Sequence, residues 1–286
     1  MNQWRKDIAS WKCGGTLYLS VPFTWLISKA KILAESHKGR VIAGGPAVKL
    51  MGAPWADETP DECPFDVLSF HNPCATFTTR GCPNRCPYCA VPRIEGDFRE
   101  LNDWNPAPIV CDNNLLAASR KHFQRVIESL RPFPACDFNQ GLDARLFTPW
   151  HAGRIARLKN PTVRFALDHV NHTGSLTDAV NTAKRAGLKK FAVYVLIGFK
   201  DTPEDAKQRL EYVRGLGIWP NPMRFQPLDA VEKDSFVEEG WTDYELRKMM
   251  HYYSRLRYLD HIPYDDYQYT QQYISTGKAH ARFFNE

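Results

Sequence analysis

Three cysteines, Cys82, Cys86 and Cys89, stand at C-x3-C-x2-C spacing in the run Thr79-Arg80-Gly81-Cys82-Pro83-Asn84-Arg85-Cys86-Pro87-Tyr88-Cys89. Three thiolates suffice to bind three irons of a [4Fe–4S] cluster, and the fourth iron then stays open to a cofactor or substrate. A structural zinc site wants four closed ligands, usually from two C-x2-C pairs. Here the first gap is three residues and no second C-x2-C pair exists, although His71 and Cys74 upstream offer a fourth ligand and keep zinc as an alternative. Disulfides fit less well. Eight cysteines in 286 residues are few, and no apolar stretch reads as a secretory signal. Cys13, Cys63, Cys74, Cys111 and Cys136 lack a ligand-like spacing and are expected to be ordinary thiols.

The elements that must position those cysteines alternate from Ala75 onward. Short apolar runs at Thr76–Thr79, Pro108–Cys111, Ala135–Asn139, Val163–Asp168, Phe191–Ile197 and Met223–Gln226 read as strands. Between them lie helical stripes, such as Leu115, Leu116, Phe123, Val126, Ile127 and Leu130, or Leu176, Val180 and Ala183 before Gly187. Thr148-Pro149 and Thr202-Pro203-Glu204-Asp205 are helix starts. Alternation of this kind predicts a parallel sheet in an α/β fold, with ligands at the C-terminal strand ends. Six repeats are too few for a closed eightfold barrel. With 43% hydrophobic residues there is material for a large core, and no run approaches the roughly 20 apolar residues of a membrane span. A soluble, cytoplasmic protein is expected. The net charge of +5 permits an anionic substrate or nucleic acid without requiring one.

The cysteine motif, followed by strand–helix repeats and with Tyr88 just before the last cysteine, resembles the radical S-adenosylmethionine (SAM) enzymes. The resemblance spans roughly residues 75–228 and is most specific at the cysteines. It implies a partial (β/α)6 TIM-type barrel. It also implies a [4Fe–4S] cluster on Cys82, Cys86 and Cys89, and reductive cleavage of SAM to methionine and a 5′-deoxyadenosyl radical. That radical would take hydrogen from an unidentified small molecule, peptide or nucleic acid. An electron donor such as flavodoxin or ferredoxin is implied as partner, and no membrane.

Under the same resemblance Tyr88 sits beside the adenine. Asp112 and Asn113, closing the second strand, meet the SAM amino group, although both residues are also common helix caps. The third strand ends in Asn139-Gln140-Gly141-Leu142-Asp143-Ala144-Arg145. There Arg145 is expected to pair with the SAM carboxylate. Gln140 and Asp143 are expected to meet ribose or substrate, with a surface salt bridge as the plainer alternative for Asp143. Asp168 is expected to accept from the ribose, and His169 to contact substrate or donate a proton. Gly198 resembles the fifth-strand glycine on which adenine packs, or is a simple strand-end turn. The run Glu95-Gly96-Asp97-Phe98-Arg99-Glu100-Leu101 resembles one that supports the cluster loop in relatives.

Three units are expected. Residues 1–73 form a small α/β segment, with Leu17–Val21 and Arg40–Ala43 as strands around a helix over Thr24–Ser36. Its Val41-Ile42-Ala43-Gly44-Gly45-Pro46 looks like a late strand of the cobalamin-binding domain in cobalamin-dependent relatives, or is a tight turn. The D-x-H-x-x-G signature is absent, so a shortened, cobalamin-free segment is expected, nearest the cobalamin-domain and methylthiotransferase-like branches. Residues 74–230 form the core. Residues 231–286 form a helical extension, opened by a capping box at Thr242 and Glu245 and holding eight of the twelve tyrosines. Those rings are expected to cover the open side of the barrel with wet hydroxyls, and less favourably to stack nucleic-acid bases. The rival to an enzyme is a non-catalytic iron–sulfur or zinc module, with nucleic acid as a candidate partner.

Overall fold

The computed structural model describes residues 4–61, 63 and 65–270, so Tyr273 and the rest of 271–286 lie outside the described residues. The N-terminal unit opens with β1 (Ala9–Cys13) and β2 (Thr16–Ser20), an antiparallel hairpin turned at Gly14-Gly15. A 3-10 turn leads into α1 (Ile27–Glu35), then β3 (Val41–Gly44), which pairs parallel with β2. Two short helices follow, α2 (Pro46–Met51) and α3 (Val67–His71). Leu17, Leu19, Val21, Ala30, Val41 and Ala43 form a core of their own.

The core of the chain begins at β4 (Ala75–Thr76), then β5 (Thr79–Arg80), α4 (Val91–Ile94), β6 (Arg99–Glu100) and β7 (Ile109–Val110). It continues as α5 (Arg120–Leu130), β8 (Cys136–Phe138), α6 (Pro149–Ile155), β9 (Pro161–Ala166), α7 (Thr173–Arg185), β10 (Lys190–Ile197), α8 (Pro203–Gly215) and β11 (Pro220–Arg224). The fold class is α/β, with a six-stranded parallel sheet in the order β4-β7-β8-β9-β10-β11. The strands follow one another without reversal, so there is no point where the order switches direction.

Alternation along the strands separates the two faces of this sheet. Val163, Phe165, Val193, Val195 and Ile197 are buried against Phe123, Val126 and Leu130 of α5, Leu176 and Val180 of α7, and Leu210 and Val213 of α8. Each such side chain contributes about 1.5–3 kcal/mol when fully buried. The opposite positions, Asp137, Arg164 and Tyr194, face away from that core and are only half-buried.

The expected first strand is two. β4 stays in the parallel sheet, while β5 leaves it to pair antiparallel with β6. This short ribbon carries the cysteine loop out from the sheet. At the far end α9 (Asp243–Tyr253), with the Thr242–Glu245 capping box in place, packs into the same core as the sheet. The expectation of wet tyrosine hydroxyls is corrected here for two rings. Tyr252 and Tyr253 are buried, and donate to the Ile262 carbonyl oxygen (2.6 Å) and Glu211 Oε1 (2.7 Å). Buried rings with bonded hydroxyls offer no stacking face to a base. Among the described residues no helix is long and apolar enough to cross a membrane.

Candidate metal and cofactor centre

Gly81 opens the cysteine loop at φ +73°, and a Cβ there would lie 2.3 Å from the carbonyl oxygen of Asp97. Only glycine fits both constraints. The Gly81 N–H donates to Glu95 Oε2 (2.7 Å). Glu95 also pairs with Arg80 (3.0 Å) and accepts from Asn113 Nδ2 (2.9 Å). One carboxylate thus ties the loop's first turn to the end of β7. Cys89 N–H closes a turn on the Cys86 carbonyl oxygen (3.0 Å), and α4 starts two residues later.

Cys82, Cys86 and Cys89 are unpaired thiols of intermediate burial. Burial, with the charges of Cys86, Cys82 and Asp168 nearby, pushes the Cys89 thiol up. Among the described residues no three His, Cys, Asp or Glu side chains stand ready-gathered around a metal position. The donor chemistry nevertheless suits a cluster with an open iron, since three soft thiols share one loop. A buried polar atom also points to an unfilled need. Asn114, 2% exposed, has no partner for Oδ1, while its Nδ2 donates toward Cys82 Sγ (3.7 Å). Of the two upstream candidates for a fourth zinc ligand, Cys74 is a free thiol of intermediate burial and His71 is engaged elsewhere. His71 bonds through Nε2 to Ser20 Oγ (2.9 Å) and through Nδ1 to the Arg5 carbonyl oxygen (3.3 Å).

Asp143, after β8, is the hub of the loop. It accepts from Asn84 Nδ2 (3.0 Å), inside the C-x3-C gap, and from Asn114 Nδ2 (3.2 Å). Arg145 adds a bidentate pair (2.8 and 2.7 Å) and its backbone N–H (3.1 Å). Burial would raise the Asp143 carboxyl, but the bonds from Arg145 and Asn84 outweigh it and hold it below the usual carboxylate range. The Asp143–Arg145 salt bridge is the plainer alternative raised by the sequence.

Tyr88 Oη donates to Asp168 Oδ2 (2.8 Å), tying the loop's last turn to the end of β9. Burial outweighs this bond and raises Asp168, and burial beside Asp168 raises Tyr88. The Tyr88 ring stands edge-on to Phe199 at 5.4 Å. Phe199 follows Gly198, whose φ is +74° and whose N–H donates to Asp201 Oδ1 (3.1 Å). A Cβ at Gly198 would meet Leu246 Cδ2 at 3.0 Å.

Two expected contact residues take other partners, and a third, Gln140, is exposed. Asp112 is 3% exposed and turns inward, where it accepts from Thr78 N–H (2.6 Å), Thr79 N–H (3.0 Å) and the Thr78 hydroxyl. It fixes the β4–β5 break, and burial pushes it up to about 6 despite those bonds. His169 Nδ1 accepts from the Asn171 N–H (3.1 Å), capping a 3-10 turn. Gln140 lies on the exposed surface of its loop. Sequence reasoning passed over Asn84 and Asn114. Asn114 was visible as the third residue of Asp112-Asn113-Asn114, and Asn84 as the polar residue within the cysteine gap. It also passed over the sheet's open face, where Arg164 forms a bidentate pair with Asp137 (2.7 and 2.7 Å) and donates to Tyr194 Oη (3.1 Å).

No family model matches this chain, and no curated protein matches it.

Proposed function

We propose that the chain is a radical SAM enzyme built on a partial (β/α)6 barrel. The observation that carries this reading is convergence. Polar side chains from the ends of three consecutive parallel strands meet one C-x3-C-x2-C loop: Asn114 after β7, Asp143 after β8 and Asp168 after β9, with Asn113 joining through Glu95. A zinc or structural module has no need for such a set on one side of its ligands.

Cys82, Cys86 and Cys89 would hold the cluster. When bound, it supplies the electron that splits SAM into methionine and a 5′-deoxyadenosyl radical, which takes hydrogen from a substrate. Asn84, Asn114 and Asp143 brace the loop, and Glu95 fixes its first turn. Tyr88, Gly198 and Phe199 supply an aromatic and backbone wall suited to a purine. Asp168 offers a carboxylate to ribose hydroxyls. Arg145 keeps a partly exposed guanidinium, already oriented by Asp143, for a carboxylate. Asp137, Arg164 and Tyr194 make the open face of the sheet polar, which suits a polar substrate.

The test is anaerobic reconstitution with iron and sulfide, followed by EPR of the reduced protein with and without SAM. About four irons per chain and a SAM-dependent change in the spectrum support the reading. A loaded cluster blind to SAM favours a non-catalytic iron–sulfur module, and zinc in place of iron removes the cluster.

A further inference from the structure

We infer that Asn114 is a positioning residue that sets the reduction potential of the cluster through an N–H···S bond to Cys82. The inference rests on the proposed function. The Asn114 side-chain amide has two N–H groups on Nδ2. One lies toward Cys82 Sγ at 3.7 Å and the other toward Asp143 Oδ2 at 3.2 Å. The residue is 2% exposed, so water does not compete for either contact.

The orientation of this amide is dictated by Asp143. An ionised carboxylate only accepts, and the bonds from Arg145 and Asn84 favour its ionised form. Rotating the amide by half a turn would set Oδ1 against that carboxylate and withdraw the donor from the sulfur. The nitrogen is therefore locked toward Cys82, while Oδ1 is left buried without a partner among the described residues. A buried acceptor without a partner is costly. It is tolerated where the donor on the other side of the same amide has work to do at the sulfur.

Asn84 provides the internal contrast. It lies inside the cysteine loop and bonds the same Asp143 oxygen, yet among the described residues its side chain bonds that carboxylate and no sulfur. A donor to a ligating sulfur offsets the added negative charge of the reduced cluster and raises its potential. Asn114 has that contact and Asn84 does not.

The experiment is an EPR-monitored redox titration of the reconstituted full chain without SAM, comparing wild type, Asn114→Ala and Asn84→Ala. Iron and sulfide are counted for each. Asn114→Ala is expected to lower the reduced-to-oxidised ratio at a fixed potential about tenfold, a shift of about 59 mV for a one-electron couple. Asn84→Ala leaves the bidentate Arg145 pair on Asp143 in place, so its shift is expected to be clearly smaller than that of Asn114→Ala. Equal potentials in loaded wild type and Asn114→Ala overturn the inference and leave the proposed function standing. Should Asn114→Ala fail to load, pulsed EPR decides on reduced Asn84→Ala protein labelled with 15N-asparagine. A weak nitrogen coupling at the cluster is expected, and its absence overturns the inference. A wild-type chain that loads no cluster removes the proposed function and this inference together.

Discussion

Tyr88 Oη donates to Asp168 Oδ2 at 2.8 Å, joining the last turn of the cysteine loop to the end of β9 across 80 residues of sequence. Burial raises the Asp168 carboxyl, so its remaining hydrogen bonds matter. Tyr88→Phe keeps the ring beside Phe199 and removes only the donor. The expected loss is about 1–2 kcal/mol of unfolding free energy, read by urea denaturation of the metal-free chain. An unchanged midpoint would show that the contact does not hold the loop.

Two glycines of the same backbone conformation separate strain from collision. Gly81 and Gly96 both have φ +73°, but a Cβ at Gly81 would meet the Asp97 carbonyl oxygen at 2.3 Å, whereas one at Gly96 meets nothing within 4 Å. Gly96→Ala should cost about 1–2 kcal/mol from the left-handed conformation alone. Gly81→Ala must also move backbone, so it should be clearly more destabilising and lower the iron bound after reconstitution. Equal effects of the two substitutions would contradict the close approach.

Asp112 gives the chain a pH dependence of defined sign. Its folded pKa is raised from 3.8 to about 6, because burial outweighs the bonds from Thr78 and Thr79. A raised folded pKa means that the native state binds more protons than the unfolded state between those values. The stabilisation is therefore fully present below the unfolded pKa and is lost as pH rises through about 6. The shift corresponds to a change on the order of 3 kcal/mol. Wild type should lose stability relative to Asp112→Asn as pH is raised across that window. A difference that stays flat, or one in which wild type gains, would refute it.

Cys111 and Cys136 are buried thiols pushed up to about 12, chiefly by burial. Three units above the ordinary value makes the thiolate about a thousandfold scarcer, and the higher nucleophilicity recovers roughly half the exponent. Alkylation by iodoacetamide in the native state should be at least about thirtyfold slower than at the exposed Cys13 and Cys63. Peptide mapping of a labelling time course checks this. Early labelling of Cys111 would place it nearer solvent than the core allows.

Much of this architecture is local in origin, which is why the sequence carries it. The capping residues Thr148, Thr202 and Thr242 start their helices where the sequence puts them, because a cap needs only its own next three residues. The strands β7 to β10 show as apolar runs because one side of each packs against helices, whereas β11 starts at Pro220, three residues before the expected Met223, since Pro220-Asn221-Pro222 does not read as a strand. β1 was missed although Ala9, Trp11 and Cys13 alternate with Ser10 and Lys12, because it is a five-residue, mostly exposed edge strand and so short an alternation is a weak signal. The split between β4 and β5 was missed because its cause is Asp112, 34 residues from Thr78. The site follows the same rule. The cysteines are a contiguous motif and are legible. Their braces are long-range contacts, Asn114 to Cys82 and Asn84 to Asp143, and no spacing rule encodes those.

The central claim is that the cysteine loop supports reductive cleavage of SAM. The most direct measurement quantifies 5′-deoxyadenosine after anaerobic incubation of the reconstituted chain with SAM and dithionite, beside Cys86→Ala treated identically. The account predicts 5′-deoxyadenosine and methionine in wild type and neither above background in Cys86→Ala. A wild-type chain with a full [4Fe–4S] cluster that forms no 5′-deoxyadenosine would contradict it.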